Sequence, residues 1–186
     1  MNLVPFYAFP KLETQRLLFG DLADADHHEI LHMRSDPDIY RYLDRQPAQS
    51  PEDVIKFIGI VKQAYDDHTG ISWSLMNKSS KEMAGYIGLW RIIKEHNRGE
   101  IGYALKKKFW GQGLMQEAIN AVTRFGFQKL ELHSIEANVN PANQQSIRVL
   151  EKCRFKKEAY FRENYCWQGK YIDSVIYSLL EKDLTD

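Results

Sequence analysis

The chain has 186 residues, 44% of them hydrophobic and 27% charged, enough for one domain with a substantial core. Lysine plus arginine and aspartate plus glutamate number 25 each, so the net charge is zero and nothing favours nucleic acid or a membrane surface as partner. No apolar run approaches the ~18 residues of a membrane span. The opening Met1 to Tyr7 lacks a basic region and a cleavage site, so it does not read as a secretory signal. Two cysteines, Cys153 and Cys166, cannot make a disulfide framework, and a reducing cytoplasm is expected.

Residues 16–22 read as a first strand that starts near Thr14. An Asp- and His-rich helix follows over about 25–34, with Asp24 as cap and Ser35-Asp36-Pro37 as its end. Tyr40, Tyr42 and Leu43 lie in an irregular or short helical stretch. Ser50 as N-cap, Pro51 and Asp53 then announce a longer helix. Its Val54, Phe57, Ile58, Val61 and Tyr65 share one face, and Gly70 closes it.

The period then changes from helical to alternating. Ile71, Trp73 and Leu75 mark a strand, residues 83–93 a second and 100–105 a third. A helix from Leu114 to about Phe127 turns Leu114, Ala118, Val122 and Phe125 toward a core. Residues 133–139 form another strand, Asn140-Pro141-Ala142-Asn143 breaks it, and a short helix carries Ile147 and Leu150. Two long strands, 155–165 and 171–180, finish the chain around a Gln168-Gly169 turn. The order describes an α+β layout on a mixed sheet.

The chemistry-bearing stretch is Lys108-Phe109-Trp110-Gly111-Gln112-Gly113-Leu114, between a strand and a helix. Its two glycines leave a run of backbone N–H groups bare at the positive end of a helix, a cradle for phosphate. A dinucleotide fingerprint would need a third glycine where Gln116 stands, and a Walker loop would need Gly-Lys-Ser/Thr. The stretch resembles instead the acyl-CoA loop of the GNAT N-acetyltransferases, Gln/Arg-x-x-Gly-x-Gly/Ala, except that Lys108 holds the Gln/Arg position.

Four further segments point the same way. They are Leu12 to Leu18, Glu100 to Leu105, Glu136 to Ser146, and Ser146 to Phe155. With Gly111 to Ala118 they resemble, in order and spacing, the GNAT N-acetyltransferases, and most nearly the RimJ/RimL branch of ribosomal-protein N-terminal acetyltransferases. Cys153-Arg154-Phe155 stands where that family has Leu-Gly-Phe. The resemblance implies a GNAT fold over residues 12–183: a twisted, mostly antiparallel seven-stranded sheet flanked by about four helices. It also implies direct attack of an amine on acetyl-CoA, with no metal.

The resemblance further implies roles. The loop Trp110, Gly111, Gln112, Gly113, Leu114 and Met115 would hold the CoA pyrophosphate, with Lys106, Lys107 and Lys108 either adding charge or forming a solvated face. The strand around Tyr103, Ala104 and Leu105 would splay, its backbone pairing with pantetheine and one N–H facing the thioester oxygen. Asn143 would bond the pantetheine arm, beside or instead of a plain N-cap role. Glu100 or Glu136 would accept the amine's proton through water, or be a strand-edge carboxylate in a salt bridge. Leu150 replaces the tyrosine that many relatives aim at the leaving thiolate, and Ser146, one turn earlier, would hydrogen-bond it instead.

A protein α-amine, already partly neutral at pH 7, suits a modest base better than a lysine-like amine. The acceptor is therefore expected to be a protein or peptide N-terminus, with a small amine such as a polyamine, amino sugar, amino acid or antibiotic as the alternative. His28-Glu29-Ile30-Leu31-His32 also spells a zinc-peptidase motif, which would need a third ligand. An acyl-CoA-binding protein without turnover is the third class. Tyr160, Phe161, Tyr165, Trp167 and Tyr171 would line an acceptor groove, form a homodimer contact or belong to the core.

Overall fold

The computed structural model describes residues 9–43 and 45–184. The amino-terminal stretch weighed as a secretory signal lies outside them. The strands are β1 (Leu12–Glu13), β2 (Leu17–Asp21), β3 (Ile71–Asn77), β4 (Met83–Ile93), β5 (Arg98–Leu105), β6 (Ser134–Val139), β7 (Lys156–Trp167) and β8 (Lys170–Leu180). The helices are α1 (His27–Ser35), α2 (Pro37–Tyr40), α3 (Pro51–Asp66), α4 (Leu114–Lys129) and α5 (Gln144–Lys152). They make an α+β fold on an eight-stranded sheet of order β1-β2-β3-β4-β5-β6-β8-β7. Every neighbouring pair is antiparallel except β5 and β6, which α4 joins as a crossover.

The sheet has one strand more than the seven expected because Leu12 and Glu13 fold back on β2, across a turn in which Thr14 N–H donates to Leu17 O. A fifth helix arises at Pro37. Its missing N–H stops α1, but its fixed φ suits the first position of α2, whose free N–H groups at Asp38 and Ile39 reach the Asp36 carboxylate. At α3 the Ser50 side chain makes no cap bond, and Asp53 instead accepts the Gln49 N–H at 2.9 Å.

Alternation along the strands divides the core in two. Phe19, Trp73, Leu75, Ile87, Leu89, Ile101, Ile135 and Tyr177 face α4 and α5. Ala104 and Met83 on the other face meet Ile30, Met33, Val54 and Ile58 of α1 and α3. Gly126 lets α4 press on the sheet, since a Cβ there would lie 2.9 Å from Ile135 Cδ1.

The carboxy-terminal hairpin corrects the core reading of the late aromatics. Tyr160, Phe161, Tyr165 and Tyr171 are all exposed, because β7 is the edge strand and the α1–α3 layer covers only the other half of the sheet. Asp173 accepts the Glu163 N–H at 2.8 Å where β7 bulges, a device that twists an edge away from further pairing. Among the described residues, no helix is long and apolar enough to cross a membrane.

Candidate active site

The sheet is split at its middle. β5 and β6 pair only through Arg98↔Ser134, Gly99↔Ile135 and Glu100↔Glu136, and beyond that point they part. Each keeps its other neighbour: β4 pairs as far as Leu105, and β8 as far as Val139. Lys106 N–H donates to Ala84 O at 2.9 Å, and Ala104, Gly102 and Glu100 occupy the matching positions opposite β4. Antiparallel pairing alternates, so these even-numbered residues commit their backbone groups to β4. Ile101, Tyr103 and Leu105 turn theirs toward the gap, and Ala104 is turned away from it. The Leu105 carbonyl is taken by the Trp110 indole at 2.7 Å.

On the α4 side, the gap leads to the glycine loop. Gly111 and Gly113 have φ of +74° and +75°, and Gly113 is the N-cap of α4 with no side chain over the first turn. The N–H groups from Gly111 to Gln116 find no acceptor among the described residues. Such a nest of free donors at a helix N-terminus fits a pyrophosphate. Arg16, absent from the sequence reading of the site, secures the loop. Its backbone N–H and Nε reach Glu117 at 2.8 and 2.7 Å, and its Nη1 donates to Gln112 O at 2.7 Å. A Cβ at Gly113 would sit 3.6 Å from its Nη2. The three lysines beside the loop are engaged elsewhere, Lys106 with Glu29, Lys107 with Asp38 and Lys108 with Glu82. They tie β5 and the loop to α1, α2 and the β3–β4 turn.

Farther along the same side stands the start of α5. Asn143 caps it, accepting the Ser146 N–H at 3.1 Å, while its Nδ2 finds no acceptor among the described residues. The Ser146 hydroxyl lies 2.7 Å from the Tyr103 hydroxyl. Leu150 is fully buried in the core. Arg154 holds the left-handed conformation, φ 68°, that the family's glycine would take.

The opposite side of the gap carries the carboxylates. Glu100 and Glu136 lie side by side across the last paired rung. The Glu100 side chain is 7% exposed and meets Arg91 Nη1 at 3.1 Å, whereas that of Glu136 is 28% exposed and meets Arg98 Nη1 at 3.6 Å. Burial pushes the Glu100 carboxyl above the usual carboxylate range; Arg91 opposes this and Glu136 adds to it. Trp90 leans over Gly102, and Arg45 stacks 5.8 Å above the Trp90 ring. Neither Trp90 nor Arg91 was singled out from sequence, because no motif marks them; Arg45 lies in the loop around Tyr40 to Pro47 that was expected to help set the acceptor.

The zinc motif loses its base, since Glu29 is bound to Lys106, and no three metal-ligating side chains gather among the described residues.

Residues 16–156 match the model of the acetyltransferase (GNAT) domain. The uncharacterized N-acetyltransferase YoaA of Bacillus subtilis is 33% identical over 173 residues, 93% of this chain and 98% of that one. The ribosomal protein uS5-alanine N-acetyltransferase of Escherichia coli is 26% identical over 129 residues, 69% of this chain and 66% of that one. Among solved structures, spermidine N-acetyltransferase from Vibrio cholerae, in complex with CoA and spermine, superposes with a TM-score of 0.80 at 20% identity, over 91% of this chain and 98% of that one. The protein belongs to the GNAT family and is an acetyl-CoA-dependent N-acetyltransferase.

Proposed function

We propose that the protein transfers the acetyl group to the α-amine of a protein or peptide N-terminus. The observation that carries this reading is the state of the carboxylates. Glu100 is desolvated and raised, and Glu100 and Glu136 each face an arginine. A carboxylate, even a raised one, is a modest base. It suits an α-amine of pKa about 7.7–8.0 and is poorly matched to amines near 10.4. Arg91, Arg98 and Arg45 around the two acids also leave little surplus negative charge for a polyamine. The E. coli relative, which acts on a ribosomal-protein alanine, lends further support.

In this reading the amine enters from the α1–α3 side and acetyl-CoA from the α4 side, and they meet in the gap between β5 and β6. Acetyl-CoA supplies the activated acyl group. The glycine loop would hold its pyrophosphate, Asn143 its pantetheine, and a gap-facing N–H of Tyr103 or Leu105 the thioester oxygen. Glu100 lies three residues of extended strand from Tyr103, about 10 Å. It would therefore take the amine's proton through water. Ser146 would meet the charge on the departing sulfur. The paucity of cysteines agrees with a reducing cytoplasm.

The second reading, a small amine, is favoured by the fold shared with the spermidine enzyme. One experiment separates them. Acetyl-CoA is offered with free-N-terminal peptides, N-blocked lysine peptides, polyamines and amino sugars, and products are read by mass. Transfer to free N-termini is expected; a spermidine rate well above every peptide would overturn the proposal.

A further inference from the structure

The half-buried hydroxyl pair beside the gap has a direction, and that direction has a use. Tyr103 rises from β5 on the α4 side, and its phenol meets Ser146 Oγ at 2.7 Å. Each hydroxyl has one hydrogen, so only one of the two can donate within the pair. A phenol is a stronger acid than an aliphatic alcohol, and an aliphatic oxygen is the better acceptor. Tyr103 therefore donates and Ser146 accepts, which leaves the serine hydrogen free to point elsewhere. The backbone closes other options. The Ser146 N–H is held by the Asn143 side chain, fixing the first turn of α5, and the Tyr103 ring is wedged beside α5. Leu150, where the family's tyrosine would stand, has no polar atom to offer.

We propose that Tyr103 is a positioning residue for the leaving group. Its phenol fixes the rotamer of Ser146 and aims the serine hydrogen into the gap, at the thiolate that departs from acetyl-CoA. The inference rests on acetyl transfer at this site but not on which amine accepts. The proton balance is simple. As the amine nitrogen bonds to the acyl carbon, the C–S bond breaks and the electron pair stays on sulfur. The amine's proton leaves through water, and water returns a proton to the sulfur. Ser146 donates a hydrogen bond meanwhile, and Tyr103 keeps its proton throughout. Burial, the largest influence on it, holds the phenol well above its usual range, so it remains a neutral donor at every working pH. Cys153, the other titratable group beside it, is pushed up to about 12 by burial and stays neutral as well. Among the described residues, no charged side chain bonds the Ser146 hydroxyl.

The test uses Tyr103→Phe, Ser146→Ala and the double variant, each checked for CoA affinity and melting temperature. With any accepted amine, Tyr103→Phe should lower kcat roughly 5- to 30-fold with little change in KM for acetyl-CoA. The double variant should be no slower than Ser146→Ala, because the phenol acts only through the serine. A second readout needs no acceptor. The thiol of bound free CoA is titrated by thiolate absorbance, with desulfo-CoA as blank. Its pKa should be lower in the wild type than in either single variant. Should Tyr103→Phe fail to fold, 3-fluorotyrosine at position 103, a stronger donor of nearly equal size, should lower that thiol pKa further.

Additive losses in the double variant, a change confined to KM, or a thiol pKa indifferent to residue 103 would each overturn the proposal. A wild type that shifts the thiol pKa but acetylates no N-terminus would leave this inference standing and sink the acceptor reading instead.

Discussion

The two sides of the split sheet are built from different materials. The side proposed for the cofactor consists mostly of backbone: free N–H groups at the start of α4, gap-facing groups of Tyr103 and Leu105, and a helix cap at Asn143. The side proposed for the amine consists of side chains brought from separate places. These are Glu100 and Glu136 on neighbouring strands, Trp90 and Arg91 on β4, and Arg45 from the connection before α3. A backbone site needs only glycine and a helix start, so it serves any acyl-CoA alike. A side-chain site can change with each substitution, so in the proposed reading it would be where acceptors are distinguished. If the proposed roles hold, the contrast teaches that reaction class and substrate choice would be stored in different parts of one gap.

The largest effect is expected on the amine side. Glu100→Gln should lower kcat/KM by about 10²–10⁴-fold in a pH–rate profile. The base works only when ionised, and its pKa is raised, so wild-type activity should fall as pH drops through that raised value. The variant should lose this acidic limb and recover partly at high pH, where more amine is neutral. An unchanged profile would pass the role to Glu136 or to water alone.

The next effect belongs to the backbone side. Gly113→Val puts a β-branched residue at φ +75° and a methyl-bearing carbon beside Arg16. The free loop is expected to relax out of that conformation, so binding must restore about 2–3 kcal/mol of strain and CoA affinity should fall on the order of 100-fold by calorimetry, while peptide binding is spared. Wild-type affinity in a folded variant would remove the loop from the site.

Ser146→Ala should cost roughly 5- to 150-fold in kcat at nearly constant acetyl-CoA affinity, because the charge it meets develops only as the C–S bond breaks. Full activity in a folded variant would reduce Ser146 to a residue of the first turn of α5.

The smallest effect lies outside the gap and sharpens the contrast by serving neither side. Arg154 ends α5 at φ 68°, with Phe155 N–H donating to Leu150 O and its own N–H to Glu151 O. This is a Schellman cap, in which a non-glycine residue bears about 1 kcal/mol or more of strain. Arg154→Gly should raise stability by up to about 1 kcal/mol in urea titration and leave turnover unchanged.

What could be read in the chain alone was local or repeated. The apolar spacing of α3 and α4, the alternation in β3 and the glycines before α4 act through neighbours a few residues apart, and the resemblance to the GNAT family rests on such segments. Their conformational demands are met by the chain nearby, so they are legible in order. Tertiary structure decided the rest. Arg16 meets Glu117 and Gln112 about a hundred positions away, Tyr103 meets Ser146 across the gap, and Lys106 to Lys108 find acids on other elements. The register of β5 on β6 buries Glu100 more deeply than Glu136, and edge placement exposes late aromatics for which the core was one of three readings. Burial and register depend on which strands become neighbours, and no local spacing carries that information.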